Sequence, residues 1–450
     1  MAAEMHAQGA AARRDLAVRA AVEQGLVGGA DDAPPLVCLL DTDGIRASAA
    51  ALTDAFAAAL PPGTPVLHAF AVKACPLVPV LRLLADAGLG CEAAGPGELA
   101  LARAAGVPAA RTVLDSPAKT AAELREALAL GVAVNADNLR ELERLDALVG
   151  AGRPRSQIGV RINPQTGAGA IGALSTATAT SKFGVALRDP GARARLVRAY
   201  LDRPWLTRLH VHSGSQGVPL ALIAEGVRDL HALAEEINAA AGRRQVDTLD
   251  IGGGLPVNFA SDEQDPTYAR YVGALREAVP ALFDGGYGLV TEFGRSLLAK
   301  HGLVLARVEY TKTTGARPIA LTHAGVQLAT RTVYAPAQWP LRILPYDAKG
   351  APKAGDPVAQ DVAGPACFAG DLLATARELP LLAPGDLIGV PDTGAYFFTA
   401  HYGYNSLPRP AVHGFTVTPQ AGVRFAEVRP AQSLAEIVAE SGGPLRDALL

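Results

Sequence analysis

The sequence predicts an α/β protein: a (β/α)8 TIM barrel followed by a separate β-rich domain of sandwich or barrel type. Eight apolar runs of strand length alternate with Ala/Leu-rich helical stretches over about 240 residues, which is the rhythm of such a barrel. After Lys300 the texture changes to short β-rich runs broken by Gly, Pro and Asp. Finally, the polar residues of the alternating region gather at the C-terminal ends of its strands, where a barrel keeps its chemistry. A doubly wound sheet is the rival, but it ordinarily needs fewer units.

The first 34 residues, rich in Ala, Arg and Gly, read as an N-terminal extension with one helix over 14–24. A strand at 36–40 and a helix over 43–60, with Leu52, Ala55, Phe56 and Leu60 on one face, fill 35–60 and lead into the fold. The barrel takes 61–302, with strands at 66–74, 90–94, 112–115, 132–135, 157–163, 206–212, 246–251 and 288–292. Between them, Leu and Ala recur at helical spacing over 77–87, 121–130, 138–148, 219–241 and 267–282. The β domain, 303–420, shows β-rich runs at 303–311, 318–321, 332–335, 341–344, 386–390 and 412–417, and 421–450 is a tail. Two segments read as loops: 347–357, and the Ala/Thr/Gly-biased 168–180. The latter falls after the fifth barrel strand, as a lid or a tolerated insertion.

Composition excludes several classes of function. Lys plus Arg number 41 against 44 Asp plus Glu, a net charge of −3, which excludes a polycation held by nucleic-acid phosphates. With 49% apolar and 19% charged residues the chain can bury a core, so wholesale disorder is excluded. Cys38, Cys75, Cys91 and Cys367 are scattered without a CxxC pair or a Cys/His cluster, so neither a disulfide framework nor a metal site is expected. Arg13-Arg14 is followed by Asp15 and no apolar run, and no stretch reaches membrane-spanning length. A cytoplasmic protein without membrane or nucleic-acid partners is the expectation.

Lys73, in the apolar run Phe70-Ala-Val-Lys-Ala-Cys-Pro76, is placed where desolvation would lower its pKa and let it form an imine, or where it is simply ion-paired. The glycines Gly252, Gly253 and Gly254 follow the seventh strand, where backbone N–H groups can approach a phosphate, or where a tight turn is needed. Arg295 on the neighbouring loop and Ser215 in His212-Ser-Gly-Ser-Gln216 offer a charge and a hydroxyl to the same anion. Glu292 in an apolar strand end needs a cationic partner, either a protonated ring nitrogen or a nearby guanidinium. His212 can present its face to a flat ring or serve as a core histidine. One ligand answers all four demands, with an aldehyde, a phosphate, a ring nitrogen and a planar ring: pyridoxal 5'-phosphate.

These residues resemble the barrel-type (fold type III) pyridoxal-phosphate decarboxylases, the diaminopimelate and ornithine decarboxylase group. The resemblance runs from about Pro35 to Gly414. It is carried by Phe70-Ala-Val-Lys-Ala, Gly97-Glu-Leu, Ser181-Lys-Phe-Gly184, His210-Val-His-Ser-Gly-Ser-Gln216, Gly252-Gly-Gly254, Glu292-Phe-Gly-Arg-Ser296, Gly364-Pro-Ala-Cys367, Asp371, Asp392-Thr-Gly-Ala-Tyr396, and Tyr404-Asn405 with Pro408-Arg-Pro410. It implies an alanine racemase-like barrel, with the strand at 36–40 joining the C-terminal β domain. It also implies Lys73 bonded to the cofactor aldehyde, His212 on its ring face, Glu292 on the pyridine nitrogen, and Ser215, Gly252 to Gly254, Arg295 and Tyr396 on the phosphate. A homodimer with shared active sites is implied too, in which Cys367 of the partner subunit returns a proton to the α-carbon and Asp371 pairs with Lys182.

The departures bear on the substrate. Where the family places an acidic residue after the cysteine, to read a distal ammonium, this chain has Phe368, whose ring cannot pair a cation by charge but can lie beneath one. His323 stands where an aspartate is usual, and Arg331 is either a reader of a distal carboxylate or an exposed arginine. Cys75 replaces an asparagine, and Glu92 replaces an aspartate, keeping the charge but moving it outward. The expected activity is decarboxylation of an amino acid or an amino-acid-derived conjugate, with Arg331, Phe368 and Tyr396 binding the substrate. Diaminopimelate decarboxylation in lysine biosynthesis and racemisation on the same cofactor are the alternatives.

Overall fold

The computed structural model describes residues 2–28, 33–150, 152, 154–418 and 422–450, with side chains from residue 9 onward. It divides into two compact units. One comprises 46–257 and 265–297, the other 1–45, 258–264 and 298–450.

The first unit is the barrel. Its parallel strands are Val66–Ala71, Gly90–Ala93, Thr112–Asp115, Ala133–Ala136, Ile158–Asn163, Leu206–Val211, Thr248–Asp250 and Gly288–Thr291. The last pairs back onto the first in the register Leu289↔Val66, Val290↔Leu67 and Thr291↔His68, which closes the ring. Most of these strands are short and buried on both faces, as expected for parallel strands beneath a helical layer. The helices begin and end on local signals. Thr120 and Glu123 form a reciprocal capping box for Ala121–Leu130, and Gly131, at φ 79°, stops it in a left-handed turn. Helices Pro96–Ala104 and Ala192–Leu201, not singled out in the sequence, complete the layer.

The second unit is a mixed nine-stranded sheet. Leu36–Asp41 lies inside it, antiparallel to Gly302–Thr314 at Cys38↔Val304 and parallel to Val412–Thr418 at Cys38↔Val412. Several expectations for this region need correction. The run 332–335 is the end of helix Val326–Tyr334, where Thr332 and Val333 mislead because β-branching is only a weak strand preference. The run 341–344 touches a strand only at Leu344–Tyr346. Strands Pro357–Ala363, Leu372–Pro380 and Gly422–Arg429 were not anticipated, and the last pairs with Val412–Thr418. The boundary drawn at 420/421 lies outside the described residues.

The N-terminal helix is Ala2–Glu23, longer than 14–24, and it is no loose appendage. Ala17, Val18 and Ala21 share a buried cluster with Val27, Leu39, Leu305, Tyr346 and Leu387 of the same unit. Among the described residues no helix is long and apolar enough to cross a membrane.

Candidate active site

Each strand hands its last residues to the barrel mouth. The first ends at Ala71, and a single turn, Val72–Ala74, carries Lys73 beyond it. Phe70, Val72, Ala74 and Cys75 are buried, leaving Lys73 turned the other way with its side chain 43% exposed. The apolar desolvation expected of it is therefore not found: its ammonium is held by the carboxylate of Glu92. Glu92 itself does not move its charge outward, since it is 1% exposed in the second strand.

Buried polar groups form a floor that the sequence reading missed. Arg161 donates to Asp115 at 3.1 Å, and Asn135 and Arg208 donate to Asp250 at 3.1 and 2.9 Å. His210 lies between two acids, its Nδ1 3.6 Å from Asp115 and its Nε2 3.3 Å from Glu292. Burial, and then repulsion among the acids, raises the carboxyls: Glu92 to about 8, Glu292 to about 7 and Asp250 to about 6. Burial would raise Asp115 too, but His210 and Arg161 outweigh it and hold it low. The only sequence signal for this floor is a charged residue at a mid-strand position, as in Ile-Gly-Val-Arg161-Ile-Asn and Leu-Thr-Arg208-Leu-His.

His212 leaves the sixth strand with its ring positioned by the glycine turn. The Gly253 N–H donates to His212 Nδ1 at 3.1 Å, which puts the proton of a neutral ring on Nε2. Burial first, and then Arg161 and Lys73, keeps the ring's pKa well below the ordinary histidine value, so it presents a neutral flat face. The turn demands glycine. A Cβ on Gly253 would overlap the Glu292 carbonyl, and one on Gly254, at φ 96°, the Gly214 carbonyl. The Gly252 N–H is taken by Asp250 Oδ1 at 3.2 Å, so among the described residues only the Gly254 N–H of this turn donates to nothing. Arg295 is buried, three residues beyond Glu292. The 168–180 segment is fastened to the loop carrying Ser215: Ser215 N–H donates to the Leu174 carbonyl at 3.1 Å, and Ala170 N–H to that of Gly217 at 2.8 Å.

The remaining predicted site residues belong to the β unit. Cys367 is exposed, whereas Cys38, Cys75 and Cys91 are buried, so it is not the ordinary buried thiol. Its N–H donates to Asn405 Oδ1 at 2.7 Å, which fixes the loop. Phe368 stacks on Tyr334 with ring centroids 5.8 Å apart and meets Tyr404 edge-on at 5.8 Å. Arg331 is not an exposed arginine: its guanidinium lies 4.8 Å from the Tyr396 ring and 5.2 Å from that of Trp339, with Nη1 buried and unpartnered. Asp371 turns inward, accepting the N–H groups of Val326 and Ala366 at 2.7 and 2.8 Å, so within this chain it braces the loop before Cys367.

The barrel group can be tested against pyridoxal phosphate. Glu292 Oε1 is buried without a hydrogen-bond partner, and burial and the charge of Asp115 press on its carboxyl, a setting that favours an added positive charge such as a protonated ring nitrogen. A flat neutral imidazole, an amine at the mouth and a turn that admits no side chain complete the fit. Fold and site together define a cofactor-dependent barrel enzyme of amino-acid chemistry. Residues 46–299 match the pyridoxal-binding domain of the pyridoxal-dependent decarboxylases. The Pseudomonas aeruginosa protein named diaminopimelate decarboxylase is 35% identical over 371 residues, 82% of this chain and 84% of its own. The Deinococcus radiodurans protein of that name is 35% identical over 343 residues, 76% and 82%. Among solved structures, diaminopimelate decarboxylase from Helicobacter pylori complexed with L-lysine superposes with a TM-score of 0.78 at 24% identity, over 92% of this chain and 98% of that one, a likeness of fold. A lysine/ornithine decarboxylase from Vibrio vulnificus complexed with cadaverine gives 0.71 at 25% identity, over 88% and 97%. The chain belongs to the pyridoxal-dependent decarboxylases and is a pyridoxal-phosphate-dependent amino-acid carboxy-lyase.

Proposed function

We propose that this decarboxylase acts on an amino acid or amino-acid conjugate whose distal end carries no ammonium to be read by charge. The observation that carries this is Phe368. The position after Cys367 is an aromatic ring packed on Tyr334 and Tyr404, with no carboxylate to pair a cation. Arg331, with a buried unpartnered Nη1, offers a site for a distal carboxylate instead.

Pyridoxal phosphate, when bound, supplies a sink for the electron pair left behind as CO2 departs. Lys73 would hold its aldehyde carbon, Glu292 its ring nitrogen and His212 its ring face. Ser215, the Gly254 N–H, Arg295 and Tyr396 would hold its phosphate, with Gly252 and Gly253 shaping the turn that brings Gly254 to it. Glu92 keeps the Lys73 ammonium in place through their ion pair. The Cys367 thiol then gives its proton to the α-carbon. On this reading the enzyme is a cytoplasmic homodimer, and the thiol serving each site is Cys367 of the partner subunit.

Diaminopimelate decarboxylation is the second reading, favoured by the name shared by the curated relatives described above. The two are separated by following CO2 and product mass over a panel of diaminopimelate stereoisomers, lysine, ornithine and carboxylated amino-acid conjugates. Turnover of a conjugate lacking a distal ammonium is the expected result. Strong preference for diaminopimelate would overturn it. Product chirality from the same reactions distinguishes either reading from racemisation.

A further inference from the structure

The loop that begins at Asp392 and ends at Tyr396 is strained at both ends, with φ of 63° and 65° at two non-glycine residues. Such a backbone persists only where its surroundings over-determine it. The N–H groups of Thr393 and Gly394 donate to the carbonyls of Gly302 and Ala299, each at 3.2 Å, and Asp392 is further held by a line of alternating charges. Lys300 contacts Asp392 at 3.2 Å from one side, and Arg342 donates to Asp392 at 2.9 Å from the other. Arg342 also donates to Asp262 at 2.7 Å, and Asp262 receives both Arg14 Nη groups, at 2.8 and 3.1 Å. Arg14 sits on the N-terminal helix Ala2–Glu23, whose Ala17 and Val18 are wholly buried in the core of this unit, so the line is anchored on a rigid element. Asp392 is 3% exposed and the other members no more than 20%, which limits screening by water. In sequence the line grips the chain at two informative places: eight residues beyond Gly254 and four residues before Tyr396.

We propose that the N-terminal helix is a positioning element of the enzyme, and that Arg14, through Asp262, Arg342 and Asp392, holds Tyr396 in the orientation that binds cofactor phosphate and substrate. This rests on the reading of Tyr396 as a cofactor-phosphate ligand. Arg14 touches nothing that reacts; its effect is transmitted through backbone placement, where small displacements of a positioning group are costly.

The test is a double-mutant cycle on the full-length chain, reading the dissociation constant of pyridoxal phosphate by titrating the cofactor-free protein and following the absorbance of the bound cofactor. Arg14→Ala is expected to weaken binding about tenfold, Arg14→Lys to recover most of it, and Asp262→Asn to match Arg14→Ala. In a Tyr396→Ala background Arg14→Ala should add less than about twofold, because the residue it positions is gone. A general loss of folding would add in full in both backgrounds and lower the melting temperature, so melting is measured on each variant. Unchanged cofactor affinity in Arg14→Ala, with Tyr396→Ala impaired, overturns the proposal; so does an Arg14→Ala effect equal in both backgrounds. Unchanged affinity in Tyr396→Ala overturns the reading of Tyr396 itself, and with it the purpose assigned to the line.

Discussion

Glu292 shows how this site stores its demand for a cofactor. A carboxyl that ionises near 4.5 in an unfolded chain is raised to about 7 by burial and by the charge of Asp115. The sign follows from linkage: the folded state binds the proton more tightly, so the contribution to stability is full below pH 4.5 and is lost as pH rises through about 7. Glu292→Gln removes this titration. Melting temperature measured from pH 5 to pH 8 on cofactor-free protein should therefore fall more steeply in the parent than in the variant, and saturating pyridoxal phosphate should flatten the parent's slope. Lys73 and Cys367 separate by spectrum. Lys73→Ala should lose the yellow absorbance of the bound cofactor, whereas Cys367→Ala should keep it and lose about 10²-fold or more in turnover, the scale of a general acid. Lys73, His212 and Glu292 were legible in the sequence because each is a polar residue at the end of an apolar run. Arg208 and Asp250 were not, because the partner that explains each lies 42 residues away, and only the closed barrel joins them.

At the scale of elements, the glycine turn is where backbone and chemistry are the same thing. Gly253 passes so close to the Glu292 carbonyl that a methyl group cannot be admitted, and its N–H fixes the His212 ring. Gly253→Ala should therefore push the turn outward and release the imidazole together. We expect pyridoxal phosphate affinity to fall by about tenfold or more, with far-ultraviolet circular dichroism unchanged. Equal affinity in the variant would show that the turn is merely a tight connection. The barrel strands were readable because two-sided burial writes continuous apolar runs into them, and the strand-then-helix order leaves few topologies. The β unit was less readable. Strands such as Leu372–Pro380 leave Thr375, Ala376, Arg377 and Glu378 in an exposed or half-exposed run, where no strong hydrophobic pattern survives, and helix Val326–Tyr334 carries β-branched residues on a helical frame.

At the scale of the whole molecule, the chain distributes its proposed chemistry over two units: Lys73, His212 and Glu292 in the barrel, Cys367 and Tyr396 in the β unit. Cys367 is exposed, its loop braced by Asn405 and by the buried carboxylate of Asp371. If it serves the site of a second copy, inactive variants should repair one another. A Lys73→Ala dimer has no amine at either site, and a Cys367→Ala dimer has no thiol at either site. Unfolding and refolding the two together at equal concentration yields mixed dimers as about half of the population, and in each mixed dimer one of the two sites draws both groups from intact chains. Turnover should therefore rise from near zero to about a quarter of the parent value, and separating the mixed dimer by two affinity tags should give about half. Sites built from a single chain would give none in either experiment, because each chain would carry its own defect.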